Sequence, residues 1–66
     1  MKEYQFYIRH PFFKHYHSIE AQDISSATEV IKSRYNVTDE KQRRLYIITS
    51  AFEDDNKVIE EQKLFG

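Results

Sequence analysis

The sequence predicts an α+β domain in which a small antiparallel sheet carries one helix on one face, in the order strand, strand, helix, strand, strand (ββαββ). Three observations predict it. Apolar residues alternate with period two over residues 3–9, which is the pattern of a half-buried strand. They are spaced by three and four over residues 23–35, as in a helix, and they form a further extended run at 45–52. A chain of 66 residues is expected to fold as a single domain, residues 1–66.

The first two strands are predicted to form a hairpin. Tyr4, Phe6 and Ile8 fall on one face of the first strand. Pro11 interrupts it, because proline has no N–H to give to a sheet and pushes the residue before it toward extended geometry. A second extended run follows at about 13–21. Two such runs joined by a short break are typical of an antiparallel pair.

The helix is predicted over residues 23–35. Its inward stripe is made of Ile24, Ala27, Ile31 and Tyr35, with Val30 beside them. Asp23 can cap the first turn through its carboxylate, and a capping box beginning at Ser26 competes with it. Asn36 is expected to end the helix in the left-handed conformation, where glycine is more common.

The rest of the chain is predicted to be a polar connection at 37–42, a strand at 45–52, a turn at 54–57 and a last strand at about 58–65. The strand at 45–52 is apolar on both faces, which is typical of a strand covered on both sides. The turn is predicted from its Asp, Asn and Lys residues. Because the last segment is rich in helix formers, a short helix is the alternative to the fourth strand.

A single helix covers only one face of the sheet, so the other face is predicted to present rings and one apolar row. If the helix covers Leu45 and Ile47, the other row of that strand is open, and the opposite assignment leaves Leu45 and Ile47 open. Large exposed rings are typical of protein interfaces. The residues predicted to contact a partner are Tyr7, Tyr16, Tyr46, Ile48 and Phe52.

Composition excludes several classes of function. The net charge is −1, and residues 51–66 hold five acidic and two basic side chains, which is unlike a typical nucleic-acid-binding domain. No apolar run approaches the roughly 20 residues that a membrane-spanning helix needs. The chain has no cysteine and no apolar segment typical of a signal peptide, so a cytoplasmic location is expected.

The stretch Ser18-Ile19-Glu20-Ala21-Gln22-Asp23-Ile24-Ser25-Ser26-Ala27 joins the end of a strand to a capping residue and a helix with alanine at its first inward turn. Over residues 4–50 this arrangement resembles small ββαβ proteins of phages and mobile elements. Certain archaeal ribosomal proteins have a similar hairpin, helix and strand, but this chain lacks their dense basic charge. The phage resemblance implies a small effector or inhibitor directed at the host, acting in the host cytoplasm, rather than an enzyme.

The sequence therefore predicts a non-enzymatic protein-binding module, an effector or inhibitor that occupies the surface of a partner protein. Its acidic last segment would steer it toward a basic partner. The alternative is a nucleic-acid-binding protein, because basic and aromatic residues alternate in the hairpin at 9–17 and a second basic cluster follows at 41–44. The residues of this alternative are Arg9, Phe12, Lys14, His15, His17, Arg43 and Arg44.

The three histidines raise the question of a metal site. His15 and His17 project from one face of a strand, but zinc sites use three or four ligands and the chain offers no cysteine. We therefore predict no metal, no cofactor and no catalytic residue. The alternation along the second strand places polar and apolar residues on the same face. His15 and His17 fall on the face of Ile19 and Ala21, which are predicted to point into the core. Either the histidines lie beyond the helix or a bulge near Tyr16 resets the alternation.

The size of the domain predicts self-association. Burying a Leu, Ile or Phe side chain is worth roughly 1.5–3 kcal/mol, so an open apolar row is costly for a chain of 66 residues. A homodimer that pairs sheet faces or edge strands would bury it, with Tyr46 or Ile48 near the interface. The alternative is a second helix, formed by the last segment, that covers this row within one chain.

Overall fold

The computed structural model describes residues 1–66, and its four strands form one antiparallel sheet. The elements are β1 (Lys2–His10), β2 (Phe13–Ala21), helix α1 (Ile24–Tyr35), a short helix α2 (Glu40–Arg43), β3 (Ile47–Glu53) and β4 (Asn56–Lys63). The strands lie in the order β2-β1-β3-β4, and every neighbouring pair is antiparallel. This is the predicted α+β class with the order ββαββ.

The β1–β2 hairpin is as the alternation predicts. The two strands pair without a register shift from Lys2 opposite Ala21 to His10 opposite Phe13, with Pro11 and Phe12 as the turn. Because no bulge resets the alternation, the inward face of β2 continues from Ala21 back to the start of the strand. The histidines of β2 therefore lie on the same face as the core.

Helix α1 begins and ends where its caps predict. The Asp23 carboxylate accepts a hydrogen bond from the Ser26 amide at 2.8 Å, and this bond lowers the pKa of Asp23. Asp23, not the competing box at Ser26, is the cap. Asn36 ends the helix with φ 43° and ψ 46°, in the left-handed region, and its amide donates to the Lys32 carbonyl. Ala27 and Ile31 are the fully buried residues of the helix.

The connection after α1 contains a short helix that the sequence analysis missed. We predicted a polar connection at 37–42, but residues Glu40–Arg43 form α2. Asp39 caps it, because its carboxylate accepts a hydrogen bond from the Lys41 amide at 2.8 Å. The Arg43 guanidinium then donates to the Val37 carbonyl at 3.0 Å and holds this turn against the preceding chain. Four residues are too few for an apolar stripe to reveal such a helix.

β3 begins at Ile47, two residues later than predicted. Neither predicted assignment of its faces holds over the whole strand, although Ile48 is covered and Ile47 is on the outer face as one of the two assignments predicts. Tyr7 pairs with Ser50 and Ile8 pairs with Ile48, so Thr49 is an extra residue on β3. Its hydroxyl donates to the Tyr7 carbonyl at 3.1 Å. The bulge puts Ile48 and Ala51 together in the core, both with no exposed surface. A strictly alternating strand would place those two residues on opposite faces.

The last segment is a strand, as predicted, and not the alternative helix. β4 runs from Asn56 to Lys63 and pairs with β3. Asp54 and Asp55 form the turn, with Asp54 at φ 54°. A register shift beside Phe52 and a positive φ of 46° at Glu61 make β4 irregular. The strand is mostly exposed, because no helix packs over its length.

The core lies between α1 and the sheet, and the last residues of the chain close it. It contains Tyr4, Phe6, Ile8, Ile19, Ala21, Ala27, Ile31, Ile48, Ala51 and Leu64. Tyr4 is buried, and its hydroxyl donates to the Glu53 carboxylate at 2.6 Å. This hydrogen bond, together with burial, raises the pKa of Tyr4 to about 12. The same bond lowers the pKa of Glu53, which also lies 3.4 Å from the Lys2 ammonium.

Charge is distributed unevenly along the molecule, which measures 33 × 17 × 17 Å. Four strands side by side are about 15–20 Å wide, so the long axis follows the strands. One end holds the β1–β2 turn, the last turn of α1, α2 and the end of β4. Its basic residues are Arg9, Lys14, Lys32, Arg34, Lys41, Arg43, Arg44 and Lys63, and its acidic residues are Asp39, Glu40 and Glu61. The other end holds Glu3, Glu20, Asp23, Glu53, Asp54 and Asp55, with Lys2 and Lys57.

No helix has the length and apolar character that crossing a membrane requires.

Candidate functional site

Three aromatic rings form a cluster on the face of the sheet that α1 does not cover. We call it the outer-face cluster, and it consists of Tyr7, Tyr16 and Phe52. Tyr7 and Tyr16 are directly opposite each other on β1 and β2, with ring centroids 5.2 Å apart. Phe52 on β3 meets the other side of Tyr7 edge-on at 6.1 Å. Tyr7 is 43% exposed and Tyr16 is 55% exposed, so two of the three rings are open to a binding partner.

Acidic side chains border the outer-face cluster. A shallow depression of about 580 Å³ lies beside the rings, and it is lined by Glu3, Gln5, Tyr7, Tyr16, Phe52, Asp54 and Asp55. The two aspartates belong to the β3–β4 turn, which is at the acidic end of the molecule. A ring surface beside carboxylates suits a basic side chain, because the ring faces and the negative charges both attract a cation.

On the opposite face, the histidines of β2 are bonded to the end of α1. The Tyr35 hydroxyl lies 2.6 Å from His17 Nε2 and 3.1 Å from His15 Nδ1. Arg34 Nη1 lies 3.2 Å from His17 Nδ1. Both predicted explanations of the strand pattern are therefore wrong: β2 has no bulge, and the histidines do not lie beyond the helix, because the last turn of α1 reaches them. We call this group, His15, His17, Arg34 and Tyr35, the histidine–tyrosine network.

The donors in this network have a definite order. Arginine can only donate, so the Arg34 guanidinium donates to His17 Nδ1, and neutral His17 carries its proton on Nε2. That Nε2–H donates to the Tyr35 oxygen, and the Tyr35 O–H then donates to His15 Nδ1. Burial, the Arg34 charge and His15 lower the pKa of His17. Burial, and to a smaller extent Tyr46, raises the pKa of Tyr35. The network therefore favours a neutral His17.

A stack of rings continues the core beyond this network. His10 is buried and lies parallel to Phe13, with centroids 4.4 Å apart, and its Nδ1 accepts a hydrogen bond from the Phe12 amide. Tyr46 packs against His10, Phe13 and Tyr35 and meets Phe65 edge-on at 5.6 Å. These contacts occupy Tyr46 within the chain.

Tyr46 and Ile48 therefore do not join the predicted partner surface. Ile48 has no exposed surface, because the Thr49 bulge turns it into the core. Tyr46 precedes β3 and packs on the helix side, away from Tyr7 and Tyr16. Of the five residues predicted to contact a partner, the structure brings together three, which are the outer-face cluster.

At the basic end, an arginine stacks on a ring near the C-terminus. The Arg43 guanidinium carbon lies 4.5 Å from the centroid of the Phe65 ring. A depression of about 490 Å³ beside this pair is lined by Thr38, Glu40, Arg43, Arg44, Lys63, Phe65 and Gly66. Phe12 projects from the β1–β2 turn and is 88% exposed. Basic and aromatic groups thus occur together here.

The residues of the nucleic-acid alternative do not form one continuous surface. Arg9 and Lys14 are opposite each other on the outer face, and Arg9 is 3.5 Å from Glu61. His15 and His17 point to the other face and are held by Tyr35. The remaining members are Phe12 at the turn, Arg43 on α2 and Arg44 directly after it.

The structure assembles no metal-binding group. No three side chains among His, Asp and Glu come close enough together to hold a metal ion. Ser25 and Ser26 are in the first turn of α1, where the Ser26 amide serves the Asp23 cap.

The residues that hold the histidines are not evident from the sequence pattern. Arg34 is not among the residues singled out from the sequence, and Tyr35 was expected only to pack in the core. Parity along β2 was the available signal, since it already placed His15 and His17 on the inward face. The spacing of α1 and β2 alone does not show which helix residues reach that position.

Comparisons of the chain with protein-family models, with curated proteins and with solved structures each found no match.

Proposed function

We propose that this chain is a non-enzymatic protein-binding module, an effector or inhibitor that occupies the surface of a partner protein in the cytoplasm. The observation that carries the proposal is the outer-face cluster, with Tyr7 43% and Tyr16 55% exposed on a regular sheet. Rings held on strands lose little conformational freedom when they bind, and tyrosine adds a hydroxyl that can hydrogen-bond.

The chemistry of the cluster favours a partner with a basic surface. Glu3, Asp54 and Asp55 border the rings and carry negative charge at neutral pH. A lysine or arginine of the partner would meet a ring face and a carboxylate together. The acidic end of the molecule would also accelerate encounter, so the association rate should fall as salt is added.

The test is affinity capture from extracts of the source organism or its host, with matched variants. Tyr16→Ser should lose a stoichiometric protein partner, because it removes the most exposed ring of the cluster. Phe12→Ser removes a ring that is even more exposed but lies in the β1–β2 turn, outside the cluster, and should retain that partner. Capture of nucleic acid with no stoichiometric protein, or equal loss in both variants, would contradict the proposal.

A second candidate function is nucleic-acid binding at the basic end. It is favoured by the Arg43–Phe65 stack with Arg44 and Lys63 beside the same depression. Stacking surfaces with positive charge hold single strands. Gel-shift assays with single- and double-stranded DNA and RNA should then show binding that weakens steeply with salt. Arg43→Ser/Arg44→Ser should abolish it and Lys57→Ser, at the acidic end, should not. No shift at low salt would eliminate this candidate.

We also propose that the chain self-associates as a homodimer. A domain of this size buries little apolar surface of its own, and both the outer face and the two sheet edges, β2 and β4, are open to a second copy. The predicted interface residues Tyr46 and Ile48 do not serve, because both pack within the chain.

A further inference from the structure

The sheet has two open edges, and one of them is built to stay unpaired. Along β4, the register with β3 shifts beside Phe52, and Glu61 has a positive φ of 46°. Charged side chains cover much of this strand, whose sequence is NKVIEEQK. Irregular backbone and charge are the usual means by which an edge strand avoids pairing with another chain.

The β2 edge lacks the backbone irregularity, and it carries two charged side chains where β4 carries four. All nine of its residues pair with β1 without a register shift, and the strand contains no proline and no residue with positive φ. Its outer-face side chains are all exposed, and they are Lys14, Tyr16, Ser18 and Glu20. A long regular edge of this kind is a template for strand addition.

The four residues of β2 with outer-face side chains also have backbone N–H and C=O groups that are free to bond to a partner strand. His10 pairs with Phe13 across a two-residue turn. In such a hairpin the pair that closes the turn exchanges hydrogen bonds, and the bonded positions alternate along the strand. Phe13 and every second residue after it therefore bond to β1. The N–H and C=O groups of the other four residues point to the open edge, and these residues are Lys14, Tyr16, Ser18 and Glu20.

We propose that two copies of the chain pair through β2, antiparallel, about a two-fold axis at His17, to form one continuous sheet. The proposal rests on the proposed self-association and names its interface. A dyad at His17 places Lys14 of each copy opposite Glu20 of the other, and Tyr16 opposite Ser18. All of these pairs join residues whose backbone groups are free for hydrogen bonding.

Charge complementarity selects this register. Neither Lys14 nor Glu20 takes part in an ion pair within the chain. An axis at Tyr16 would place Lys14 opposite Ser18, and an axis at Ser18 would place Tyr16 opposite Glu20. The axis at His17 pairs opposite charges twice, and directly opposed charges of unlike sign stabilise antiparallel strands.

The same register joins the two outer-face clusters. The two Tyr16 residues become diagonal neighbours at about 7–8 Å, a distance that aromatic side chains span. Because Tyr16 already packs on Tyr7 at 5.2 Å, the rings of both copies would form one row across the dimer. The dimer would thus present a larger ring surface than either copy alone.

Sedimentation equilibrium from low to high micromolar concentration tests the proposal. The wild-type chain should give twice its mass of 8.0 kDa. Lys14→Glu and Glu20→Lys should each raise the dimer dissociation constant about tenfold or more, since each creates two pairs of like charges across the axis. The double variant Lys14→Glu/Glu20→Lys exchanges the charges and should restore the wild-type constant. Glu60→Lys, the same charge change on the β4 edge, is the matched control and should leave the constant unchanged.

The possible outcomes separate this interface from self-association in general. Circular dichroism spectra should be the same for all variants, because the substituted side chains are exposed. A dimer that resists both single variants would overturn the β2 interface while leaving self-association in place. A single variant that weakens the dimer without rescue by the double variant would overturn the register. A wild-type mass of 8.0 kDa at every concentration would overturn both proposals.

Discussion

Two groups of rings stand on opposite faces of the same hairpin, and they differ in what holds them. The outer-face cluster is held by the sheet alone, through the cross-strand pair Tyr7–Tyr16 and the edge contact with Phe52. The histidine–tyrosine network is tied by hydrogen bonds to the last turn of α1. The difference indicates separate roles: the network fixes the helix to the sheet, and the outer-face cluster is free to contact another molecule.

The largest effect should come from removing Tyr35. Tyr35→Ala deletes a half-buried ring that packs on Tyr46 and bonds both histidines, so we expect the free energy of unfolding to fall by about 2–3 kcal/mol. Tyr16→Ala removes a ring of the same type from the outer face and should cost less than about 1 kcal/mol. Urea unfolding at a concentration where the chain is monomeric measures both.

Replacing each tyrosine by phenylalanine separates the contribution of the ring to stability from that of its hydroxyl. Tyr35→Phe should retain part of the packing and lose about 1–2 kcal/mol, because it leaves His17 Nε2 without its partner. Tyr16→Phe should change stability very little, since no hydrogen bond of its hydroxyl is formed within the chain. Equal losses at Tyr35 and Tyr16 would show that the two faces do not differ in the way described.

A pH titration provides the second test of the comparison. Burial and Arg34 lower the pKa of His17 in the folded chain below its ordinary value of 6.5. On acidification, the unfolded chain therefore binds a proton that the folded chain does not, and the free energy of unfolding falls as the pH drops through that range. His17→Gln should reduce the slope, as measured by urea unfolding between neutral and mildly acidic pH. Glu20→Gln, on the outer face of the same strand, should retain the slope between pH 7 and 6.

The smallest expected effect lies within the outer-face cluster. A double-mutant cycle with Tyr7→Ala and Tyr16→Ala should give a coupling energy of about 0.5 kcal/mol, as for exposed aromatic pairs. The same cycle between Tyr7 and Phe12 should give none, because these residues make no ring contact. A coupling well above 1 kcal/mol between Tyr7 and Tyr16 would mean that the outer-face cluster is itself a structural element.

The sequence predicts the fold well where a period is long and uninterrupted. The hairpin and α1 follow from alternation, from helical spacing and from the caps at Asp23 and Asn36, all of which are local properties of the chain. The faces of β3 do not follow, because one extra residue at Thr49 changes the parity after it. A bulge depends on how the neighbouring strand pairs, and sequence alternation alone does not contain that information.

The residues of the candidate site also fall into those that the sequence predicts and those that it does not. Tyr7 and Tyr16 were predicted on the open face because both lie in regular strands of known parity. Phe52 is on that face as well, but Ile48, from the same predicted row, is in the core because the bulge lies between them. The bonds from Arg34 and Tyr35 to the histidines depend on the height and rotation of α1 over β2, which follow from packing in three dimensions.

The separation of charge along the 33 Å axis has a consequence for orientation. A rod with opposite charges at its two ends has an electric dipole along its length, and the field of any charged surface exerts a torque on it before contact. A positively charged surface would turn the Asp54–Asp55 turn toward itself, and a polyanion would turn the rod the other way, with Phe12 leading. The sign of the surface therefore selects which end of the molecule arrives first.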